Sequence, residues 1–227
     1  MEQHVTLPDE AFYQPNFSPW LGYGEFKDIY DRMASSTLLS PAKVYVLYML
    51  ARQALFLPGD FIECGVYKGG SASLLNRLLG ETDEARAKTL HLFDTFEGMP
   101  DSDPTRDTYA RGHFGDTSIE RVRNAMPYPE QVRLHQGLIP HTFAELETDV
   151  RFAFAHVDVD LYSSYRDCCE FIYPRLVVGG FLLCDDYALP TCPGARQAVD
   201  EYFSTRRAKP LVLATGQAIV FRSFEEA

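Results

Sequence analysis

Residues 152–160 read Phe-Ala-Phe-Ala-His-Val-Asp-Val-Asp, and this segment is the best guide to the architecture of the chain. Its first six residues are typical of a buried parallel strand. A second apolar run, residues 180–184, is followed by Asp185 and Asp186. Ligands bind at the carboxyl ends of the strands in an open α/β sheet. If the two strands are neighbours, at least three carboxylates meet at that edge.

Carboxylates brought together in this way need compensation. Two unit charges about 4 Å apart repel by about 4 kcal/mol at an effective dielectric constant near 20. The cluster therefore persists only if the acids share a proton or hold a cation, and we expect a cation. Oxygen ligands without a converging histidine or cysteine motif select a hard cation such as Mg²⁺ rather than zinc. The alternative interpretation is that Asp158 and Asp160 cap the following helix.

The composition is that of a soluble globular protein, with 46% hydrophobic and 23% charged residues in a chain of 227. A net charge of −11 argues against a nucleic-acid partner. The five cysteines lack a CxxC spacing and include the adjacent pair Cys168-Cys169, which favours buried thiols in a reducing compartment. We find no signal-peptide pattern and no apolar run of membrane-spanning length, and therefore expect a cytoplasmic protein without a membrane partner.

Strand-like and helical stretches alternate from residue 60 onward. The predicted strands lie near residues 60–65, 89–94, 131–135, 152–158, 180–185, 210–214 and 217–221. The predicted helices lie near residues 70–80, 117–126, 140–147, 162–175 and 194–207. A capping box, Thr117-x-x-Glu120, opens the second of these helices. The alternation predicts an α/β fold with a parallel sheet, and the short Thr215-Gly216 connection predicts an antiparallel hairpin at its end. This is the outline of the class I methyltransferase (Rossmann-like) fold, with a mostly parallel seven-stranded sheet.

The turn after the first strand indicates a nucleoside cofactor. The glycines of Gly65-x-x-x-Gly69-Gly70 let the backbone approach a ligand, and the next helix offers free N–H groups. Glu63 would repel a phosphate but attract an ammonium or sulfonium group, which fits the turn that holds the methionine end of S-adenosylmethionine. Asp94, which ends the second strand, is placed for ribose hydroxyls. Gln136 is placed for the adenine edge, or is equally a turn residue that faces water.

Several segments between about residues 58 and 204 resemble the macrocin-type sugar O-methyltransferases: FIECGVYKGGSA, LFDTFEGMP, GDTSIERVR, VDVDLYSSY and IYPRLVVGGFLLCDDY. The resemblance implies Mg²⁺-dependent methyl transfer from S-adenosylmethionine to a deoxysugar hydroxyl of an antibiotic. The implied metal ligands are Asp158, Asp185 and Asp186, and the implied base is Asp160. The implied cofactor contacts are Glu63, Gly65, Ser71, Asp94, Thr95, Glu97, Asp116, Ser118, Gln136 and Asp158.

We divide the chain into residues 1–56 and the S-adenosylmethionine-binding methyltransferase domain of residues 57–227. The first part holds an aromatic arm, residues 1–24, and helices predicted near 25–35 and 40–56. Ser40-Pro41 supplies the N-cap and first-turn residues of the second helix. The arm is either a strap, packed on its own domain or on another subunit of a homo-oligomer, or a lid. The irregular stretch 95–116 is expected to border the site.

The expected chemistry is an in-line displacement that gains mostly from positioning. Two adjacent hydroxyls of a sugar or another polyol could chelate the cation, which would lower the pKa of a hydroxyl. If the strand persists, Asp158 and Asp160 lie on one side of it, because side chains alternate along a strand. Asp160 is the candidate base. His113 is a rival, and His156 is a rival that is better interpreted as a core histidine.

Two other functions are compatible with parts of the pattern. An Asp-x-Asp pair also holds Mg²⁺ or Mn²⁺ with phosphates in hydrolases and glycosyltransferases, although Glu63 and the missing P-loop argue against a phosphate. A protein that only binds the nucleoside is the other alternative, although it would have no need of the complete set of acids.

Overall fold

The computed structural model describes residues 18–22 and 24–224. Most of the aromatic arm, with its strap and lid interpretations, lies outside these residues. The helices are α1 (Phe26–Met33), α2 (Pro41–Ala54), α3 (Gly70–Glu81), α4 (Ile119–Ala125), α5 (Tyr162–Ile172) and α6 (Pro193–Phe203). The strands are β1 (Asp60–Cys64), β2 (Leu90–Asp94), β3 (Val132–Gln136), β4 (Phe152–Val157), β5 (Leu176–Cys184), β6 (Leu211–Val212) and β7 (Ala218–Phe221).

The strands form one sheet in the order β3-β2-β1-β4-β5-β7-β6. Strands β1 to β5 pair in parallel, and β7 runs antiparallel to both β5 and β6. The mostly parallel seven-stranded sheet with a terminal antiparallel hairpin is therefore confirmed. The chain order reverses between β1 and β4, so their carboxyl ends border the crevice where such sheets bind ligands.

The register of the three central strands aligns their carboxyl ends. Cys64 of β1 pairs with Val157 of β4, and Val157 pairs with Cys184 of β5. The residue that follows each of these three positions therefore emerges at the same level of the sheet, and two of those residues are Asp158 and Asp185.

The central strands β1 and β4 are buried on both faces of the sheet, and the N-terminal helices cover part of one face. Val44, Leu47 and Ala51 of α2 are 0% exposed and belong to the same hydrophobic cluster as Phe61 and Phe154 of the sheet. The boundary at residue 56 stays a prediction about chain organisation, but one core spans both sides of it. A second cluster packs α5 and α6 on the opposite face.

Two local predictions were wrong. The helix expected near 140–147 is only a short 3-10 helix, His141–Glu145, which buries Thr142 and Phe143 and ends at Leu146, where the backbone is extended. Helix α4 begins after Ser118, whose Oγ accepts a hydrogen bond from the Arg121 N–H at 3.2 Å. Thr117 does not cap the helix, because its hydroxyl donates to the carbonyl oxygen of Tyr67 instead.

The expected burial of the thiols is confirmed, since all five cysteines are free and buried. In the described part of the chain, no helix combines the length and apolar character needed to span a membrane.

Candidate active site

A cleft of about 580 Å³ opens at the carboxyl ends of the central strands. Gly65 after β1, Asp94 at the end of β2, Asp158 after β4 and Asp185 after β5 all line it. The remaining walls come from the start of α2 with the segment before it, from residues 137–139 and 189–191, and from the loop between β2 and α4.

Three carboxylates converge in this cleft. Ligand oxygens of Asp158, Asp185 and Asp186 lie within 4.8 Å of one another. Asp185 and Asp186 are only 1% and 2% exposed. The convergence expected from the two strand ends is therefore observed, while metal binding by these residues stays a prediction.

Asp160 joins the cluster by a route that the sequence analysis did not anticipate. Strand β4 ends at Val157, and the φ angle of Asp160 is +56°, so strand alternation does not place its side chain. Its N–H donates to Asp186 Oδ2 at 3.0 Å, and the Cys192 thiol donates to Asp160 Oδ1 at 3.1 Å. A tight turn fixed by Asp186 and Cys192 thus brings Asp160 into the cleft.

The acids of the cluster carry more negative charge than their surroundings neutralise. Burial, followed by the charges of Asp186 and Asp185, raises the pKa of Asp158 well above its usual value. Burial and Asp186 raise the pKa of Asp160 to about 8. Burial and Asp185 also raise the pKa of Asp186. Such shifts arise where like charges share a site with little water.

Asp185 differs from the other acids because donors surround it. Lys43 Nζ lies 2.5 Å from its Oδ2, and Gln217 Nε2 donates to its Oδ1 at 2.7 Å. Burial pushes the pKa of Asp185 up, but His156 and Lys43 outweigh burial and lower it. Sequence reasoning missed both Lys43, which lies 142 residues away in the chain, and Gln217. The available signal for Lys43 was a lone cation in the first turn of an apolar helix.

Glu63 and His156 form a buried pair behind the cluster. They face each other in the register of β1 and β4, with His156 Nδ1 2.7 Å from Glu63 Oε1. His156 Nε2 lies 3.6 Å from Asp185 Oδ1, which is too long for a hydrogen bond. Burial favours the neutral imidazole, but Asp185 and Glu63 raise the pKa of His156 to about 9.

Glu63 is one of the predicted cofactor contacts, and the sheet encloses it. Both Glu63 and His156 are 0% exposed, and neither lines the cleft. Glu63 lies inside β1, where its carboxylate pairs with His156 of the neighbouring strand, and its expected contact with a cofactor stays a prediction. His156 lies inside the sheet, as the core interpretation has it.

Half of the residues predicted to contact the cofactor line the cleft: Gly65, Ser71, Asp94, Thr95 and Asp158. Gly65 has a φ of +85°, and a Cβ at this position would lie 1.8 Å from the carbonyl oxygen of Asp158. Asp94 accepts hydrogen bonds from the N–H groups of Val66 at 2.7 Å and Tyr67 at 2.9 Å. These bonds hold the glycine turn against the end of β2.

The other predicted contacts lie outside the cleft, because other partners or the solvent take up their side chains. Glu97 is exposed, and Ser118 caps α4. Asp116 binds the Tyr67 hydroxyl at 2.8 Å and Lys68 Nζ at 2.5 Å. Gln136 is exposed and 3.5 Å from the carbonyl oxygen of Thr95, in agreement with the water-facing interpretation. The rival base His113 is also exposed, with Nδ1 2.8 Å from the carbonyl oxygen of Ala110.

The metal-free protein is expected to lose stability as the pH rises from about 6 to about 8.5. The folded-state pKa of Asp160 is about 8 and its usual value is 3.8, so between these values the folded protein binds a proton that the unfolded chain releases. The stability linked to this group is fully present below the unfolded pKa and is lost as the pH passes the folded pKa. Urea unfolding in the presence of chelator should show that the free energy of unfolding falls by about 2 kcal/mol over this pH range because of this group. Asp160→Asn should flatten the dependence, and an unchanged slope in this variant would contradict the assignment.

Replacing Lys43 with Met is expected to destabilise the metal-free protein by about 3 kcal/mol, since removing one partner of a buried ion pair leaves the other charge uncompensated. The side chains of Lys43 and Asp185 are 13% and 1% exposed. Thermal unfolding with and without Mg²⁺ measures the effect, and the ion should stabilise the variant more than the wild type. Lys27→Met is the control, because Lys27 pairs with Asp31 at the same 2.5 Å distance on the surface and should matter little. Equal losses of stability in Lys43→Met and Lys27→Met would refute the expectation.

The residues present fit a magnesium ion. Asp158, Asp185 and Asp186 offer only oxygen atoms, which is the donor set that a hard cation prefers. The raised pKa values of Asp158 and Asp186 mark a negative charge that Lys43 by itself does not balance.

The sheet order, the glycine turn after β1 and the cleft above β1 and β4 together define a protein of the class I methyltransferase fold. A family model described as Macrocin-O-methyltransferase (TylF) matches residues 49–223, more than half of the chain, and the protein belongs to this family. The resemblance seen in the sequence segments is thereby confirmed.

Individual relatives agree with this assignment. Demethyldecarbamoylnovobiocin O-methyltransferase of Streptomyces niveus is 35% identical over 157 residues, which are 64% of this chain and 58% of that protein. Mycinamicin III 3''-O-methyltransferase of Micromonospora griseorubida is 34% identical over 159 residues, which are 64% of this chain and 61% of that protein. The matched part thus spans about three fifths of the length of these relatives. The solved structure of the O-methyltransferase NovP has a TM-score of 0.72 and 28% identity, covering 83% of this chain and 82% of its own.

Proposed function

We propose that this protein transfers the methyl group of S-adenosylmethionine to a sugar hydroxyl of a small natural product, with Mg²⁺ as a second cofactor. The observation that carries the proposal is the convergence of Asp158, Asp185 and Asp186 beside the glycine turn at Gly65. Two relatives support a sugar acceptor, because the names that they bear describe a 4'-O-methyltransferase of a rhamnosyl tetracenomycin and an O-methyltransferase of mycinamicin III.

The cofactor half of the proposed site lies at the ends of β1 and β2. This part of the cleft is lined by the Gly65 backbone, which carries no side chain, and by Ser71, Asp94 and Thr95. They would bind the methionine and ribose portions, as in related sheets that hold a nucleoside at the switch point. Among proteins that share the fold, the structure of TomG from Streptomyces achromogenes is a complex with S-adenosylmethionine, at a TM-score of 0.52.

The acceptor half lies at the ends of β4 and β5. Asp158, Asp185 and Asp186 would hold Mg²⁺, which when bound supplies Lewis-acid activation of an acceptor hydroxyl. Lys43 and Gln217 keep Asp185 in one orientation through its two oxygens. Asp160 is the proposed proton acceptor, and the bonds from its own N–H to Asp186 and from Cys192 to its Oδ1 fix its carboxylate. An acceptor with two neighbouring hydroxyls is part of the proposal.

The walls of the cleft favour methyl transfer over hydrolysis. Apolar side chains form a large part of the lining, namely Leu39, Met99, Pro100, Leu138, Ile139 and Leu189. A wall of this kind keeps water from the sulfonium carbon and confines the acceptor, and confinement is the main contribution to an in-line displacement.

The test combines calorimetry with a turnover assay. We expect S-adenosylhomocysteine to bind without metal, and a panel of natural-product glycosides to include an acceptor that is methylated only when Mg²⁺ is present and chelator absent. Failure of the nucleoside to bind would refute the proposal. Tight binding without turnover on any glycoside or polyol would favour a binding protein instead. The expected homo-oligomer stays a prediction, which light scattering of the same sample would test.

A further inference from the structure

The loop between β2 and α4, residues 95–118, supplies one wall of the cleft. Its contributions to the lining are Thr95, Gly98, Met99, Pro100, Tyr109 and Phe114. The loop is closed on itself by backbone bonds between Met99 and His113 at 2.8 Å and between Gly112 and Met99 at 2.9 Å. These internal bonds give the loop a shape, but they do not attach it to the rest of the protein.

Asp107 attaches the loop to the helices that follow the acid cluster. This carboxylate is only 8% exposed, and its Oδ1 accepts a hydrogen bond at 2.8 Å from the N–H of Tyr162, the first residue of α5. Leu161, which precedes α5, provides no side-chain cap. Asp107, which lies 55 residues earlier in the chain, therefore supplies the side-chain cap that Leu161 lacks. The helix dipole favours a negative charge at this end of α5.

Neighbouring contacts confirm a close fit at this point. The Arg106 guanidinium lies 4.0 Å from the centre of the Tyr162 ring. A Cβ on Gly194 in α6 would come within 2.3 Å of Asp107 Oδ1 and 3.0 Å of the Arg106 carbonyl oxygen. Residue 194 therefore has to be a glycine for the loop to dock.

The docked loop reaches the acid side of the cleft. Its Tyr109 hydroxyl donates to Thr191 Oγ1 at 3.3 Å, and both residues line the cleft. The residue next to Thr191 is Cys192, which donates to Asp160. The position of Tyr109 is thus tied to the segment that fixes the proposed base.

We propose that Asp107 is a positioning residue for the acceptor: by capping α5 from the β2–α4 loop, it holds that loop as the acceptor-facing wall of the cleft. This inference rests on the proposed function for the acceptor, but the docking itself does not. The loop should be held equally in the absence of any ligand.

The experiment compares Asp107→Ala, Asp107→Asn and Gly194→Ala with the wild type. Asp107→Ala should raise the acceptor KM about tenfold, with kcat less affected and the affinity for S-adenosylhomocysteine within about twofold. Trypsin should cut the folded variant after Arg106 or Arg111 at least about tenfold faster. Asp107→Asn keeps an oxygen acceptor and should have nearly the wild-type acceptor KM and trypsin sensitivity. Gly194→Ala should raise both, because its Cβ would displace the loop from α6. Asp101→Ala is the control, since Asp101 belongs to the same loop and its side chain is 82% exposed. Its surface pair with Arg111 at 3.2 Å should contribute little, and cleavage after Arg106 is the rate compared in this control.

The outcomes separate the two proposals. Wild-type trypsin sensitivity in Asp107→Ala would overturn the docking role, whatever the enzyme methylates. A fall in S-adenosylhomocysteine affinity as large as the rise in acceptor KM would also overturn it, because Asp107 would then support the fold as a whole. If no acceptor is found, the proposed function fails while the trypsin comparison still decides whether Asp107 holds the loop.

Discussion

Asp158→Asn is expected to abolish turnover and at the same time to stabilise the metal-free protein. The loss should reach about a thousandfold or more, because a metal ligand contributes several kcal/mol to the stabilisation of transition-state charge. The gain in stability, about 1 kcal/mol, follows from the raised pKa of Asp158: the metal-free fold must either carry a repelling charge there or bind a proton that the unfolded chain releases, and Asn requires neither. Residues that are necessary for activity often lower the stability of the fold when the ligand is absent.

Three measurements test this expectation. Thermal unfolding in chelator should show a higher Tm for the variant than for the wild type, and added Mg²⁺ should raise the Tm of the wild type only. Calorimetry should find S-adenosylhomocysteine affinity lowered by no more than about threefold, because Gly65, Ser71, Asp94 and Thr95 keep the other predicted contacts that line the cleft. Asp149→Asn serves as the control, since it makes the same chemical change at an exposed acid away from the cleft. A variant with lower stability and lower nucleoside affinity would mean that Asp158 is a structural residue.

Gly65→Ala is expected to be the most damaging small substitution in the cleft. The new Cβ would lie 1.8 Å from the carbonyl oxygen and 2.6 Å from the carbonyl carbon of Asp158. The ends of β1 and β4 are bonded there, with the Asp158 N–H donating to the Cys64 carbonyl oxygen at 2.9 Å. The two strands would have to separate, which should cost about 4 kcal/mol or more and displace Asp158.

Gly112→Ala isolates the steric part of this effect. Gly112 has a φ of +86°, against +85° for Gly65, but nothing lies within 4 Å of a Cβ at that position. Both variants therefore carry the cost of a left-handed backbone, about 1 kcal/mol, and only Gly65→Ala carries the clash. Urea unfolding of both, with S-adenosylhomocysteine calorimetry, measures the difference. Similar losses of stability in the two variants would show that the backbone at Asp158 can move away from the new Cβ at little cost.

Local pattern and topology together determine which residues lie at the carboxyl edge of the sheet. Buried parallel strands are apolar runs with acids or glycines at their ends, so Gly65, Asp94, Asp158 and Asp185 could be placed at one edge of the sheet before any coordinates. The pairing of Glu63 with His156 could not be predicted, since a residue inside a strand turns toward whichever neighbour lies opposite, and strand order is not written in the local pattern. The pairing of Asp116 with Tyr67 and Lys68 could not be predicted either, because these partners come from a turn that no periodicity describes.

By itself, the order of residues was enough to establish the sheet, its antiparallel end, the family and the acids that meet in the cleft. These properties depend on side-chain periodicity and on the rule that parallel strands end at a common edge. Only the tertiary structure revealed that Lys43 and Gln217 hold Asp185, that a left-handed turn presents Asp160, and that Asp107 caps α5. Each of these contacts joins segments far apart in the chain, and their pairing is decided by how the helices and loops pack on the sheet.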